Sequence, residues 1–233
     1  MKGSLNFCFI ILGLVISVAS TANAKGYTFT SFDYPGAEAI RPVDINDSGD
    51  IVGTYENATG THGFLYVGGS FTRINYPGAN ETAPYAINNS GNIVGTYENA
   101  TGTHGFLYVG GSFTRINYHG ANETAPYAIN DSGNVVGSYY WEPWTDGFLY
   151  SGGSFTSIHF PGGMNQQTIP CAINNFGEIV GKYYNYIGLQ YGFLYTGGTY
   201  TSLGEDRYPQ AINDSGNIVG YYYDDVASVV IHK

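Results

Sequence analysis

The tetrapeptide Gly-Phe-Leu-Tyr occurs at 63–66, 105–108, 147–150 and 192–195, so successive copies lie 42, 42 and 45 residues apart. Self-similarity at a fixed period of this size marks a chain built from structural repeats, each too small to bury a core alone. Alignment on Ile-Asn pairs at 45–46, 87–88, 129–130, 173–174 and 212–213 adds a fifth, degenerate unit. Residues 51–92 and 93–134 differ only at Pro77/His119 and Asn89/Asp131. Those two units must share one structure.

Each unit reads as four strands. The first is Pro84 to Asn88, followed by Asn89-Ser90-Gly91, an Asx-type turn ending in a glycine suited to positive φ. The second runs from Asn92 to Tyr97, and a longer loop from Glu98 to Thr103 leads to the third, His104 to Val109. Gly110-Gly111 is a primed hairpin turn that returns the chain as a fourth strand, Phe113 to Tyr118. Strand three is apolar on both alternating faces, so its sheet must be stacked between two others. Gly53, Gly95, Gly137, Gly181 and Gly220 fall inside strand two, where they allow a close approach between sheets or a bulge.

Abundant Tyr, Phe, Gly and Asn with no helical periodicity beyond the N-terminus indicate an all-β chain. Four-stranded antiparallel sheets of about 42 residues, stacked face to face and closed in a ring, are the blades of a five-bladed β-propeller. The last unit has a plausible third strand, 227–231, and no fourth, while residues 27–32 form a fourth strand with no partners before it. The N-terminal strand is therefore expected to complete the last blade; an open solenoid would want polar caps at both ends. The expected organisation is a leader over 1–24 and one propeller domain over 25–233, with units at about 27–70, 71–112, 113–154, 155–199 and 200–233.

The leader carries Lys2, an apolar run from Phe7 to Val18 and Ala22-Asn23-Ala24, the pattern of a secretory signal peptide cut after Ala24. The product is expected in the periplasm or outside the cell, with no membrane span in the mature protein. Cys8 leaves with the leader, so Cys171 remains without a partner for an internal disulfide. The formal net charge is −10, and no basic run is present. That balance argues against nucleic acid and against anionic lipid as partners. A monomer is expected.

The phrases Ile-Asn-Asp-Ser-Gly-Asn-Val-Val-Gly and His-Gly-Phe-Leu-Tyr resemble the HAF-repeat group of extracellular proteins over essentially the whole mature chain. The match is at His62-Gly63-Phe64 and His104-Gly105-Phe106, with Gly where the motif has Ala. The histidine becomes Asp146 in the third unit and Tyr191 in the fourth, which argues against a required histidine chemistry. The resemblance implies export and a repeat fold, and brings no catalytic residues.

The Asn-Asp-Ser-Gly turns at 46–49, 130–133 and 213–216 carry oxygen ligands, but most offer one carboxylate where calcium takes six to eight oxygens. They read as plain turns. His62 and His104, in equivalent places on neighbouring units, suit strand packing or a turn hydrogen bond, and no metal or cofactor is expected. No G-x-S-x-G, H-E-x-x-H or phosphate loop occurs.

The units diverge at the end that carries the strand two to three loops: Tyr139-Tyr140-Trp141-Glu142-Pro143-Trp144-Thr145-Asp146 in the third, Tyr183 to Gln190 in the fourth, and Tyr221 to Asp225 in the fifth. Aromatics with polar neighbours suit stacking on sugar rings or anchoring a protein partner, or simply shield blade edges. Trp141, Trp144, Tyr140, Asp146, Tyr184 and Tyr186 are the candidate ligand-binding residues. Asp44 joins them as a carboxylate on the innermost strand where other units have Ala. The expected function is that of an exported, non-enzymatic binding or scaffold module whose loop-bearing rim contacts a glycan or an extracellular protein. The alternatives are a glycan hydrolase or lyase pairing Asp44 with Glu142, Asp146 or Asp224, which needs two carboxyl groups about 5–9.5 Å apart, and a passive surface structural protein.

Overall fold

The computed structural model describes residues 30–223 and 228–230. The chain divides into two units, 1–32 and 33–233. Of the first, only 30–32 are described, and they form no strand. The leader, residues 27–29 of the expected closing strand, and Asp224 and Asp225 lie outside the described residues.

The second unit is a run of antiparallel meanders. β1 (Ala39–Ile45), β2 (Ile51–Asn57), β3 (Gly60–Val67) and β4 (Ser70–Ile74) pair in order, as do β5 (Glu81–Ile87), β6 (Ile93–Asn99), β7 (Gly102–Val109) and β8 (Ser112–Ile116). The third meander is β9 (Glu123–Ile129), β10 (Val135–Trp141), β11 (Trp144–Ser151) and β12 (Ser154–Ile158). The fourth is β13 (Gly163–Ile173), β14 (Ile179–Asn185), β15 (Gln190–Thr196) and β16 (Thr199–Glu205). One parallel bridge, Thr145 to Gln167, joins these two into an eight-stranded sheet. β17 (Arg207–Ile212), β18 (Ile218–Tyr223) and β19 (Ser228–Val230) form a three-stranded sheet. The described residues contain no helix. The all-β, four-stranded antiparallel reading holds, with the correction that the third and fourth meanders share a bridge and the last has three described strands.

The hairpins are tighter than expected. Residues 98–103, expected as a loop, continue the ladder: Glu98 pairs with Thr103 and Asn99 with Gly102, leaving Ala100-Thr101 as the turn. Asn99 Oδ1 accepts from the Thr101 N–H (2.8 Å) and hydroxyl (2.6 Å), so the side chain itself folds the corner. At the other end Gly110 and Gly111 take φ of 54° and 92°, the two positive values a type I′ turn demands.

Every first strand carries a bulge beside a proline, as the register skip between Pro84 and Ala86 shows. Proline has no N–H for the ladder, and glycine stands opposite it: a Cβ on Gly95 would overlap the Ala83 carbonyl. The glycine of Gly-Phe-Leu-Tyr acts between sheets instead. A Cβ on Gly105 would sit 2.7 Å from Pro126 Cδ of the next meander and 2.6 Å from the Ile116 carbonyl.

The meanders stack in chain order. Val52, Ile87, Ile93 and Phe106 fill the space between the first and second, while Leu107 turns to the core shared with the third. Strand three is thus covered on both faces. Connector aromatics stack on strand two, Tyr76 on Tyr97 at 3.6 Å and Tyr118 on Tyr139 at 3.7 Å between centroids. The two outer faces of the stack differ from the inner ones. Ile45 of the first meander is 60% exposed against 6% for its counterpart Ile87, and Val219 of the last is 44% exposed where Val52, Val94, Val136 and Val180 are fully buried.

Candidate functional site

At the turn end, the asparagines of the Ile-Asn pairs do more than close turns. The Asn88 Oδ1 accepts from the Ser90 and Asn92 N–H groups (3.1 and 2.9 Å), and its Nδ2 donates to the Asn130 carbonyl of the next meander (3.0 Å). Asn46, Asn130 and Asn174 repeat the donation, to Asn88, Asn174 and Asn213. The following residue forms an outer ladder in which Asp and Asn alternate: Asp47, Asn89, Asp131, Asn175, Asp214. Asn89 Nδ2 donates to Asp47 (2.7 Å) and Asp131 (3.0 Å), and Asn175 Nδ2 to Asp131 and Asp214 (both 3.0 Å). Asn89/Asp131, one of two differences between the near-identical units, sets that alternation. The turns are plain in shape, as expected, and they also clamp one meander to the next.

His62 and His104 are structural. Nδ1 of His62 faces only donors, Arg73 Nη2 (3.1 Å) and Asn75 Nδ2 (3.2 Å), so the ring is neutral with its proton on Nε2, which donates to Thr59 Oγ1 (2.7 Å). Burial, then the Arg73 guanidinium, lowers its pKa below the ordinary histidine range. In the third unit the same place holds Asp146, flanked by Ser157 and His159 where the first unit has Arg73 and Asn75. Asp146 lies in β11 and is buried, 3.4 Å from His159 Nδ1. Burial raises its pKa, against the pull of the Gly147 N–H and His159. It was expected to reach a ligand from a loop. The ladder extends through it, with Tyr139 opposite, and its carboxylate is enclosed.

The expected aromatic loop of the third unit is a hairpin tip. Trp141 ends β10, Trp144 starts β11, and the two pair across a turn of Glu142 and Pro143. Trp141 is 56% exposed, Trp144 half-buried. In the fourth unit Tyr186 (76% exposed) and Ile187 (63%) stand on the corresponding turn, while Tyr184 is half-buried within β14. The fifth unit contributes less: Tyr221 stacks on Tyr208, and Arg207 lies 4.5 Å over the Tyr222 ring.

Tyr140 reaches a different surface. It lines a cleft of about 320 Å³ with Glu123, Ala125, Tyr127, Ser138 and Thr145. The Tyr127 and Ser138 hydroxyls are 2.8 Å apart, and burial raises the Tyr127 pKa, keeping the phenol neutral. Glu123, Tyr127, Ser138 and Thr145 were not singled out from the sequence. The available signal was Tyr127 at the bulge position, where the other units carry Val43, Tyr85, Cys171 and Gln210.

Asp44 stays on the innermost strand but is spoken for. Its Oδ1 accepts from the Ile45 N–H (2.9 Å) and its Oδ2 from the Ile87 N–H (2.8 Å), so it staples the first meander to the second. Burial raises its pKa, and those two amides oppose the rise. Among the described residues no group of three His, Cys, Asp or Glu is placed to hold a metal ion, and no helix is long and apolar enough to cross a membrane.

No protein-family model matches the chain, and no curated protein sequence does. Solved structures do. TolB from Acinetobacter baumannii superposes with a TM-score of 0.62 at 14% identity, over 82% of this chain and 51% of TolB. The chain thus spans about half the length of that structure, and the likeness is one of fold: an all-β, propeller-like stack of antiparallel sheets. Virginiamycin B lyase from Staphylococcus aureus (TM-score 0.49, 13% identity, 82% of this chain and 69% of that one) and a lectin of Aleuria aurantia bound to Fucα1-6GlcNAc (0.46, 11%, 82% and 77%) are more distant.

Proposed function

We propose that the protein is an exported, non-enzymatic binding module, a closed five-bladed propeller whose loop end in the third and fourth units contacts a glycan. The observation that carries this reading is the pair of accessible aromatics at the loop end, Trp141 and Tyr186, together with a cleft on the Tyr140 side of β10 lined by hydroxyls and one carboxylate. Exposed aromatic rings with polar neighbours suit stacking on a sugar face. In this reading Asp44 is a staple between the first two meanders, since both its oxygens accept from backbone amides. Export rests on the leader pattern.

Closure is part of the proposal. Phe29-Thr30-Ser31-Phe32-Asp33-Tyr34-Pro35-Gly36 parallels Phe71-Thr72-Arg73-Ile74-Asn75-Tyr76-Pro77-Gly78. Tyr34 stacks on Tyr55 at 3.7 Å as Tyr76 does on Tyr97. The stretch before β1 thus carries the sequence pattern of a fourth strand, and closure of the ring would cover the exposed faces at Ile45 and Val219.

A glycan array of the purified exported protein, repeated with Trp141→Ala plus Trp144→Ala, tests the function. One glycan class should bind and be weakened by the paired substitution. Failure to bind any glycan, while a surface protein is captured through the same tryptophans, would replace the glycan by a protein partner.

A further inference from the structure

We propose that the cleft of the third unit is a subsite for a single neutral pyranose ring, an inference that rests on the glycan reading above and gives it a location and a ligand class.

The cleft arises where the third unit departs from its near-copy. In the second unit Glu81 stands opposite Glu98 on the neighbouring strand; in the third, Glu123 stands opposite Tyr140. One of two facing carboxylates has become an aromatic ring. Val136, Ser138 and Tyr140 point to one side of β10 by the pleat, and Val136 packs with Ile173 and Ile179 of the fourth meander. The cleft therefore faces that meander. There the chain from Gly162 to Thr168 is two residues longer than the matching stretch from Gly120 to Thr124, and the ladder breaks register between Gly163 and Thr168. The added residues interrupt the ladder on the side that the cleft faces.

The volume of about 320 Å³ lies at the lower end of small-molecule sites, about 300–1,000 Å³. The lining fits a polyol with one apolar face. Tyr140 offers a ring for C–H stacking, and the Glu123 carboxylate accepts from hydroxyls. Thr145 and the Tyr127–Ser138 pair give and accept hydrogen bonds from positions already fixed, since Ser138 is buried and held at 2.8 Å. None of the six lining residues is cationic. A uronate or sialate would meet Glu123 with no countercharge, so the ring must be neutral.

Calorimetric titration of the purified exported protein with methyl pyranosides, neutral and uronic, tests this, using Tyr140→Ala, Tyr140→Phe, Glu123→Gln and the Trp141→Ala/Trp144→Ala pair, each checked for an unchanged melting transition. A neutral pyranoside should bind, with Tyr140→Ala and Glu123→Gln each weakening it about tenfold or more, the scale of one lost stacking contact or charged hydrogen bond. Tyr140→Phe should retain most of the affinity. Binding that survives Tyr140→Ala and Glu123→Gln but not the tryptophan pair would overturn the cleft and leave the glycan reading intact. Preference for a uronate would overturn the neutral assignment. No binding of any sugar would overturn both.

Discussion

The asparagine ladder makes a sharp demand on Asn130→Asp. The substitution keeps an oxygen to accept from the Asn134 N–H, now 2.9 Å away, but replaces the Nδ2 that donates to the Asn174 carbonyl at 3.0 Å with a second oxygen. Asn130 is only 4% exposed. A buried, unpaired charge facing a carbonyl costs about 3–5 kcal/mol, and for a chain of this size each kcal/mol moves Tm by about 2–4 °C. The expected loss is therefore about 6–20 °C at neutral pH. The new carboxyl has a folded pKa raised above its unfolded value, so the folded state binds its proton more tightly. The deficit should shrink as pH falls toward 4, where a protonated oxygen can donate to Asn174 again. Asn99→Asp is the control: the described bonds of Asn99, from the Thr101 N–H and hydroxyl within its own hairpin, need only Oδ1. Melting followed by circular dichroism between pH 4 and 7 reads both. Equal losses for the two variants, or a deficit for Asn130→Asp that does not ease in acid relative to wild type, would refute the inter-sheet role.

The outer ladder predicts that Asn89→Asp, which makes the second unit match the third, places three carboxylates in a row and removes both amide donations; it should lower stability by about 1–2 kcal/mol at neutral pH and recover in high salt, read by urea unfolding. His62 and His104 both have lowered pKa values, through burial and then a neighbouring Arg, with Glu81 pulling the other way on His62. A depressed histidine contributes stability that is present above the unfolded value of about 6.5 and lost as pH falls below it, so Tm should decline from pH 7 to 5, and His62→Gln plus His104→Gln should flatten that slope. Gly105→Ala should cost about 1–3 kcal/mol by overpacking against Pro126 and the Ile116 carbonyl; an unchanged urea midpoint would mean that the sheets can part there at no cost.

Much of the fold was legible because period-2 patterning, Gly-Gly turns and a 42-residue repeat are local signals. Phe64, Phe106, Phe148 and Phe193 of the repeated tetrapeptide are all fully buried, as an apolar residue on a doubly covered strand must be. The hairpin tips were read too long because Asn57 and Asn99 turn the chain with their own side chains, a geometry composition alone does not reveal. The ladder through Asn46, Asn88, Asn130 and Asn174 is a contact between residues 42 to 44 apart, visible only once neighbouring sheets are stacked. The same holds for Asp44, whose role depends on the Ile87 amide of another meander. The cleft was missed for the opposite reason. Its aromatic wall, Tyr140, stood out as a departure, but Glu123 and Thr145 are shared with the second unit and carry no mark of their own.

The protein contains two tryptophans, Trp141 and Trp144, both at the tip of the hairpin whose Tyr140 and Thr145 line the cleft. Two indole N–H resonances in a nitrogen-15 correlation spectrum therefore report on this end of the molecule without interference. Titration with a glycan that binds should move both resonances saturably, with the affinity measured by calorimetry. Binding of that glycan with both indole signals unmoved would place the ligand elsewhere and contradict the account.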